Sequence, residues 1–106
     1  MNPLGRLPYR RIRVRGPSMA PTLKDGDVVL VRNHKQPRTD DVVVVTWVTR
    51  PHQLSVKRAT QPHEDGWHVE GDNPTASTDS RELGPAQVHG VVVARLWPQP
   101  RLLSSR

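Results

Sequence analysis

Val42-Val43-Val44-Val45-Thr46-Trp47-Val48-Thr49 is the stretch on which the fold of this chain turns. β-Branched side chains are stiff at their first torsion and suit a pleated surface. Apolar residues here fill consecutive positions and do not alternate with polar ones, which predicts a strand covered on both faces. Pro51-His52 is expected to turn the chain back into a second strand, Gln53 to Thr60. A period of two places Leu54 and Val56 on one face of that strand and Ser55, Lys57 and Ala59 on the other. Upstream lies a polar loop, Asn33 to Asp41, preceded by a strand from Asp27 to Arg32. Lys24-Asp25-Gly26-Asp27 reads as a turn, with Gly26 suited to a positive φ. Arg11 to Arg15 alternates Ile12 and Val14 with arginine, a half-buried strand, and Gly16-Pro17 delivers Ser18 to a turn. Downstream, Gln61 to Gly66 reads as a loop, Trp67 to Glu70 as a short strand and Gln87 to Leu96 as the closing strand. Gly71 to Gly84 is irregular and polar, long enough in a small domain to point to function. One helical turn is expected near Pro85 to Val88.

With 106 residues this is one domain. The expected architecture is mainly β, a small antiparallel domain with little or no helix. Residues 1–8 read as a lead-in, 9–98 as the folded domain and 99–106 as a tail. Eleven prolines and seven glycines fit many turns and short strands. No cysteine is present, which excludes a disulfide, a thiol nucleophile and a Cys-ligated metal, and fits a reducing compartment. The five histidines lack tight ligand spacing, so neither metal nor cofactor is expected. Net charge is +6, concentrated at Arg6, Arg10, Arg11, Arg13 and Arg15. The favoured reading is a solvated edge strand whose arginines oppose aggregation. The competing readings are an acidic partner, nucleic acid or an anionic membrane surface. Trp47, Trp67 and Trp97 stand apart from the arginines, which argues for packing and against a base-stacking platform.

Two side chains carry candidate chemistry. Ser18 follows Gly16-Pro17, and Lys57 lies 39 positions later (57 − 18). A serine hydroxyl is a weak nucleophile until a base takes its proton, and a neutral lysine amine can be that base. Lysine must first fall from a pKa of about 10.4 to roughly 7–8, a shift of about 3.5 to 5 kcal/mol, through burial against apolar groups. Arg58 is a neighbouring cation able to add to this shift, although its side chain should point to the other face. Taken singly, Ser18 also reads as a turn serine bonding its own backbone and Lys57 as an exposed strand lysine.

Three boxes in order decide between these readings. Ser18-Met19 precedes Pro21-Thr22-Leu23; Lys57-Arg58 comes next; then Gly71-Asp72-Asn73 with Ser77-Thr78-Asp79-Ser80-Arg81. Across residues 12 to 97 the chain resembles the signal peptidase I family of serine endopeptidases. It looks most like the short subgroup that matures nickel-type superoxide dismutase by removing an N-terminal propeptide. The resemblance implies the family's β-rich catalytic core, with Ser18 as nucleophile, Lys57 as general base and the Ser18 backbone N–H as an oxyanion donor. It makes Ser77 the hydroxyl that orients the lysine, and Asp79 with Arg81 an ion pair bracing the loop. Asp72 and Asn73 are expected to cap or turn that loop beside the site. Many family members carry a serine two positions before the nucleophile as a second oxyanion donor; here that position is Gly16.

Met1 to Arg15 has no apolar core of the kind a signal peptide needs, and no apolar run nears the ~20 residues that span a bilayer. This departs from most signal peptidases and favours a soluble precursor as substrate. The expected setting is a cytoplasmic monomer, with contact at the membrane periphery as the alternative, acting on a precursor such as that of nickel superoxide dismutase and not on nucleic acid. Two other functions were weighed. One is a LexA-like domain that cuts itself, disfavoured because no helix-turn-helix and no Ala-Gly-type segment precede Ser18. The other is a non-enzymatic module whose arginine-rich N-terminus binds an acidic partner.

Overall fold

The computed structural model describes residues 8–103; most of the expected lead-in, and the last three residues of the tail, lie outside them. Seven strands form one antiparallel sheet: β1 Tyr9–Arg13, β2 Val28–Asn33, β3 Val42–Trp47, β4 Arg50–His63, β5 Gly66–Glu70, β6 Gln87–Trp97 and β7 Arg101–Leu102. Their order is β1-β2-β6-β3-β4-β5, with β7 on β6. A bridge between Trp67 and Ala86 brings β5 back to the start of β6, so the sheet curls round on itself. Among the described residues helix is limited to α1, Ser80–Leu83, and a 3-10 turn, Pro74–Ala76. The small, mainly β fold read from the sequence is the fold observed.

β3 is the hinge of the packing. Val42 and Val44 enter one apolar cluster with Met19, Leu23, Val29 and Val31. Val43, Val45 and Trp47 enter a second with Ala59, Val69 and Val91. Consecutive valines therefore serve opposite faces, as a period of two requires. Burying each such side chain contributes roughly 1.5–3 kcal/mol. β1 is an edge strand: Arg10, Arg11 and Arg13 are exposed while Ile12 packs against the first cluster.

Several local expectations change. The β3–β4 reversal occurs at Val48–Thr49, and Pro51-His52 already belong to β4, near the strand's start, where proline is tolerated. β4 is longer than expected and runs on to His63. The helical turn sits at Ser80–Leu83 and not near Pro85–Val88, because Asp79 caps it by accepting from the Arg81 amide while Ala86 is held in the bridge to Trp67. Part of the segment read as a tail returns to the sheet: Arg101 and Leu102 pair with Arg95 and Ala94, and Leu103 packs on the first cluster. The Lys24–Asp27 turn forms as expected, with Gly26 at φ 91 and its N–H on the Val14 carbonyl at 2.8 Å.

Candidate active site

Ser18 sits in the turn that follows β1. The Ala20 N–H donates to the Pro17 carbonyl at 3.1 Å, and Met19 and Leu23, both 0% exposed, fasten the turn to the core beneath. The turn is also tied from outside. The Asn73 N–H donates to the Ser18 carbonyl at 2.8 Å, and its side-chain amide donates to the Pro17 carbonyl at 3.2 Å. The Ser18 N–H donates to no acceptor among the described residues. The Gly16 N–H is taken by Asp25 Oδ1 at 2.7 Å.

Asp72 joins all three boxes through one carboxylate. It accepts from the Thr22 hydroxyl at 2.6 Å and from Arg58 Nε and Nη2 at 3.1 and 2.6 Å. Burial works to raise the Asp72 pKa, but the bonds from Arg58 and Thr22 outweigh it and the carboxyl titrates below its ordinary range. The Ser18 turn, the Lys57 strand and the polar loop are thus fixed to one another at a point next to the site. Sequence reading gave Thr22 no role; its place beside Pro21 in the first box was the available signal.

Lys57 lies opposite Val43 in β4 and is only 5% exposed. Its amine donates to Ser77 Oγ at 3.2 Å. Burial pushes its pKa down, the Asp79 charge works the other way, and Arg81 reinforces the lowering. The cation acting on Lys57 is therefore Arg81, whereas Arg58 turns away to Asp72 and to the Asp40 carbonyl.

The chain of bonds behind Lys57 has a fixed direction. Ser77 donates to Asp79 Oδ2 at 2.6 Å. An ionised carboxylate only accepts, so the single hydroxyl proton of Ser77 is committed there. Lys57 must then donate to the Ser77 oxygen, which leaves the lone pair of a neutral amine unused. Asp79 is 0% exposed and accepts also from the Gly71 N–H at 2.8 Å and from Arg81 Nε and Nη2 at 3.0 and 2.8 Å. Burial works to raise the Asp79 pKa; the bonds from Arg81, Ser77 and the two backbone amides outweigh it and hold the carboxyl far below its usual range. The ion pair expected between Asp79 and Arg81 is present.

Ser18 and Lys57 line the same cleft, about 670 Å3 in volume, with Ala76 and Thr78 beside them. Gly71 explains how the loop gets so close. A Cβ at that position would overlap both Ser77 Oγ and the Ser18 carbonyl, so only glycine lets the three segments meet. Asp72 acts as a tether, while Asn73 turns the loop: it stands at the N-cap position of the 3-10 turn, where its carbonyl accepts from the Ala76 N–H at 3.1 Å although its side chain makes no capping bond. Among the described residues no group of three or more His, Asp or Glu is arranged to hold a metal ion. His68 bonds Glu70 at 2.9 Å and His89 bonds Thr46 at 2.8 Å. None of the described helices is long and apolar enough to cross a membrane.

Sequence comparison assigns the chain that carries this cleft to a known class. The sequence model described as Peptidase S24-like matches residues 8–93, and the chain belongs to that family. It is also similar to the mitochondrial ATP-independent inner membrane protease subunit 1a of Arabidopsis thaliana, 32% identical over 116 aligned positions that cover 80% of this chain and 68% of that protein. The protein is a signal peptidase-like peptidase.

Proposed function

We propose that this peptidase is a serine endopeptidase in which Ser18 is the nucleophile and Lys57 the general base. One observation carries the reading: a buried lysine amine, with its lone pair left free by the Ser77–Asp79 chain, opens into the cleft that holds Ser18. Lys57 takes the Ser18 hydroxyl proton as the oxygen attacks the scissile carbonyl. The tetrahedral oxyanion is met by the Ser18 N–H. Lys57 then gives its proton to the departing amine, leaving an acyl ester on Ser18. Water, deprotonated by Lys57, attacks that ester; the acid product leaves, and Ser18 recovers its proton.

The substrate is an extended segment of a precursor protein. β4 pairs with β3 throughout Ser55–Arg58 but with β5 only from Arg58 onward, so its edge before Arg58 is open toward the cleft. β1, which ends the strand order on its side of the sheet, lines the cleft through Ile12 and Arg13 and among the described residues pairs only with β2. A peptide laid between them gains main-chain hydrogen bonds by strand addition. The likeness of the three boxes to the nickel superoxide dismutase maturation proteases makes that enzyme's precursor the proposed substrate, cleaved to release an N-terminal propeptide.

The test is incubation of the purified protein with such a precursor and N-terminal sequencing of the product. Ser18→Ala and Lys57→Ala should each lower cleavage by at least about a thousandfold, with the circular dichroism of the wild type retained. Either variant keeping most of its activity ends the mechanism. Cleavage of other precursors but not this one ends only the substrate assignment.

A further inference from the structure

Two sets of arginines stand apart among the described residues. Arg58, Arg81 and Arg95 are each engaged by a carboxylate, at 2.6, 2.8 and 3.8 Å, and Arg32 bonds the Tyr9 hydroxyl at 3.1 Å. Arg13, Arg15 and Arg50 are exposed and meet no carboxylate among the described residues, and all three line the cleft of Ser18 and Lys57. His52 lines it beside them, and no acidic residue among the described ones does. The cleft is therefore a trough of one sign of charge, and low-dielectric walls focus such a field.

Their placement is regular. Arg15 and Arg13 stand 3 and 5 positions before Ser18 (18 − 15, 18 − 13). His52 and Arg50 stand 5 and 7 positions before Lys57 (57 − 52, 57 − 50). Each pair has the spacing of two that puts side chains on one face of extended chain. The arginines thus stand on both walls, Arg13 and Arg15 just ahead of the Ser18 turn and Arg50 near the start of the Lys57 strand. Arg10 and Arg11 lie on the same strand, are equally exposed and do not line the cleft.

We propose that the cleft selects extended peptide segments bearing acidic side chains at alternate positions, about three to seven residues to one side of the cleaved bond. The arrangement names the substrate class for the peptidase reading above and rests on it for the location of the cleaved bond. Arg13, Arg15 and Arg50 are the specificity determinants. They act on binding and leave the chemical step alone, so they move KM and not kcat.

Binding is measured with the inactive Ser18→Ala protein, so that its outcome does not depend on cleavage. The probes are dye-labelled 14-residue peptides of Ala, Ser and Thr with Asp at every second position, and the same peptides with Lys. At low salt the Asp peptide should bind about tenfold more tightly than an uncharged Ser version, since exposed charge pairs are individually weak, and the preference should shrink in ~0.5 M salt. In that background Arg13→Glu with Arg15→Glu should reverse the preference. Arg10→Glu with Arg11→Glu, the same change in net charge away from the cleft, should leave it. Equal loss in both double variants means a general field and overturns the proposal, as does equal binding of Asp and Ser peptides. Phosphatidylserine vesicles are the last arm. If Arg13→Glu with Arg15→Glu abolishes vesicle adsorption while the peptide preference is unmoved, these arginines serve an anionic surface and the proposal falls. Failure of the catalytic reading shows differently, as cleavage that survives Ser18→Ala.

Discussion

Asp72 with Arg58 and Asp79 with Arg81 are the same two residue types, both carboxylates coming from one polar loop, and their surroundings give them different work. The Asp72 pair lies between segments distant in sequence, joining the Ser18 turn through Thr22 to the Lys57 strand through Arg58. The Asp79 pair is local, two residues apart, yet its carboxylate is completely buried and ends the hydrogen-bond chain that holds the lysine amine. One pair fixes where Ser18 and Lys57 stand. The other fixes which way a proton points and how much charge the amine feels. An ion pair therefore reports its role through what else its carboxylate accepts, and its mere presence says little.

The largest effect is expected from Asp79→Asn. An amide can donate where the carboxylate only accepted, so Ser77 is free to turn its proton onto the Lys57 lone pair. Removing the buried charge also leaves Arg81 with only Glu70, at 3.9 Å, and takes a charged acceptor from the Gly71 N–H and the Ser77 hydroxyl, so stability should fall in urea titrations. Activity should drop at least a hundredfold even though the loss of a nearby negative charge makes Lys57 easier to keep neutral. An unchanged rate would erase the distinction between the two pairs. The wild-type contribution of Asp79 has a defined sign with pH: its folded pKa is depressed, so its stabilisation is complete above the ordinary carboxylate range and is lost as acid drives the pH down through the folded value.

Asp72→Asn should act more mildly, lowering kcat/KM about tenfold through looser placement of the Ser18 turn, with stability down by about 1 to 2 kcal/mol. Its pH–rate profile should keep the wild-type shape, since Asp72 is not among the groups that shift Lys57. A displaced profile would show that Asp72 also tunes the amine. Arg81→Met sharpens the comparison from the other side. Arg81 lowers the Lys57 pKa and partners the carboxylate that raises it, so its loss should move the rising limb of the pH–rate profile to higher pH. The rate at the alkaline plateau should change little.

The smallest effect is thermodynamic. The folded pKa of Lys57 lies below its unfolded value, so between the two the unfolded chain binds more protons and stability rises with pH. Below the folded pKa the cost of burying the amine is fully present. Lys57→Met should therefore be more stable than wild type near neutrality, and the gap should close as pH climbs toward the ordinary lysine range. Urea midpoints for the two proteins across that range provide the check.

β3 was legible because four consecutive valines have one comfortable conformation, and its two-faced burial follows from the same pattern. The parity of β4 was legible too: Lys57 and Ala59 share a face, and both are buried. The reversal at Val48–Thr49 and the helix at Ser80–Leu83 were not. The first is set by Trp47 pairing with Arg50 across an irregularity in the β3–β4 register, and the second by Ala86 being captured by Trp67, remote in sequence. Within the site, the residue types were readable from the three boxes, but their wiring was not. Nothing local in Thr22-Leu23 announces a bond to Asp72, fifty residues away.

What the amino-acid order determined by itself was a sheet of short strands, with a serine on a turn and a lysine on a strand, sharing a face with Ser55 and Ala59. Those properties come from local stiffness, side-chain period and turn chemistry, which act over a few residues. Folding decided the rest: that Lys57 is dry, that Ser77 gives its proton to Asp79, that Arg81 and not Arg58 is the cation it feels, and that Arg13 and Arg15 face the same trough as Arg50. Solvent exclusion, hydrogen-bond direction and Coulomb interaction depend on distance in space, and here the curl of the sheet sets those distances.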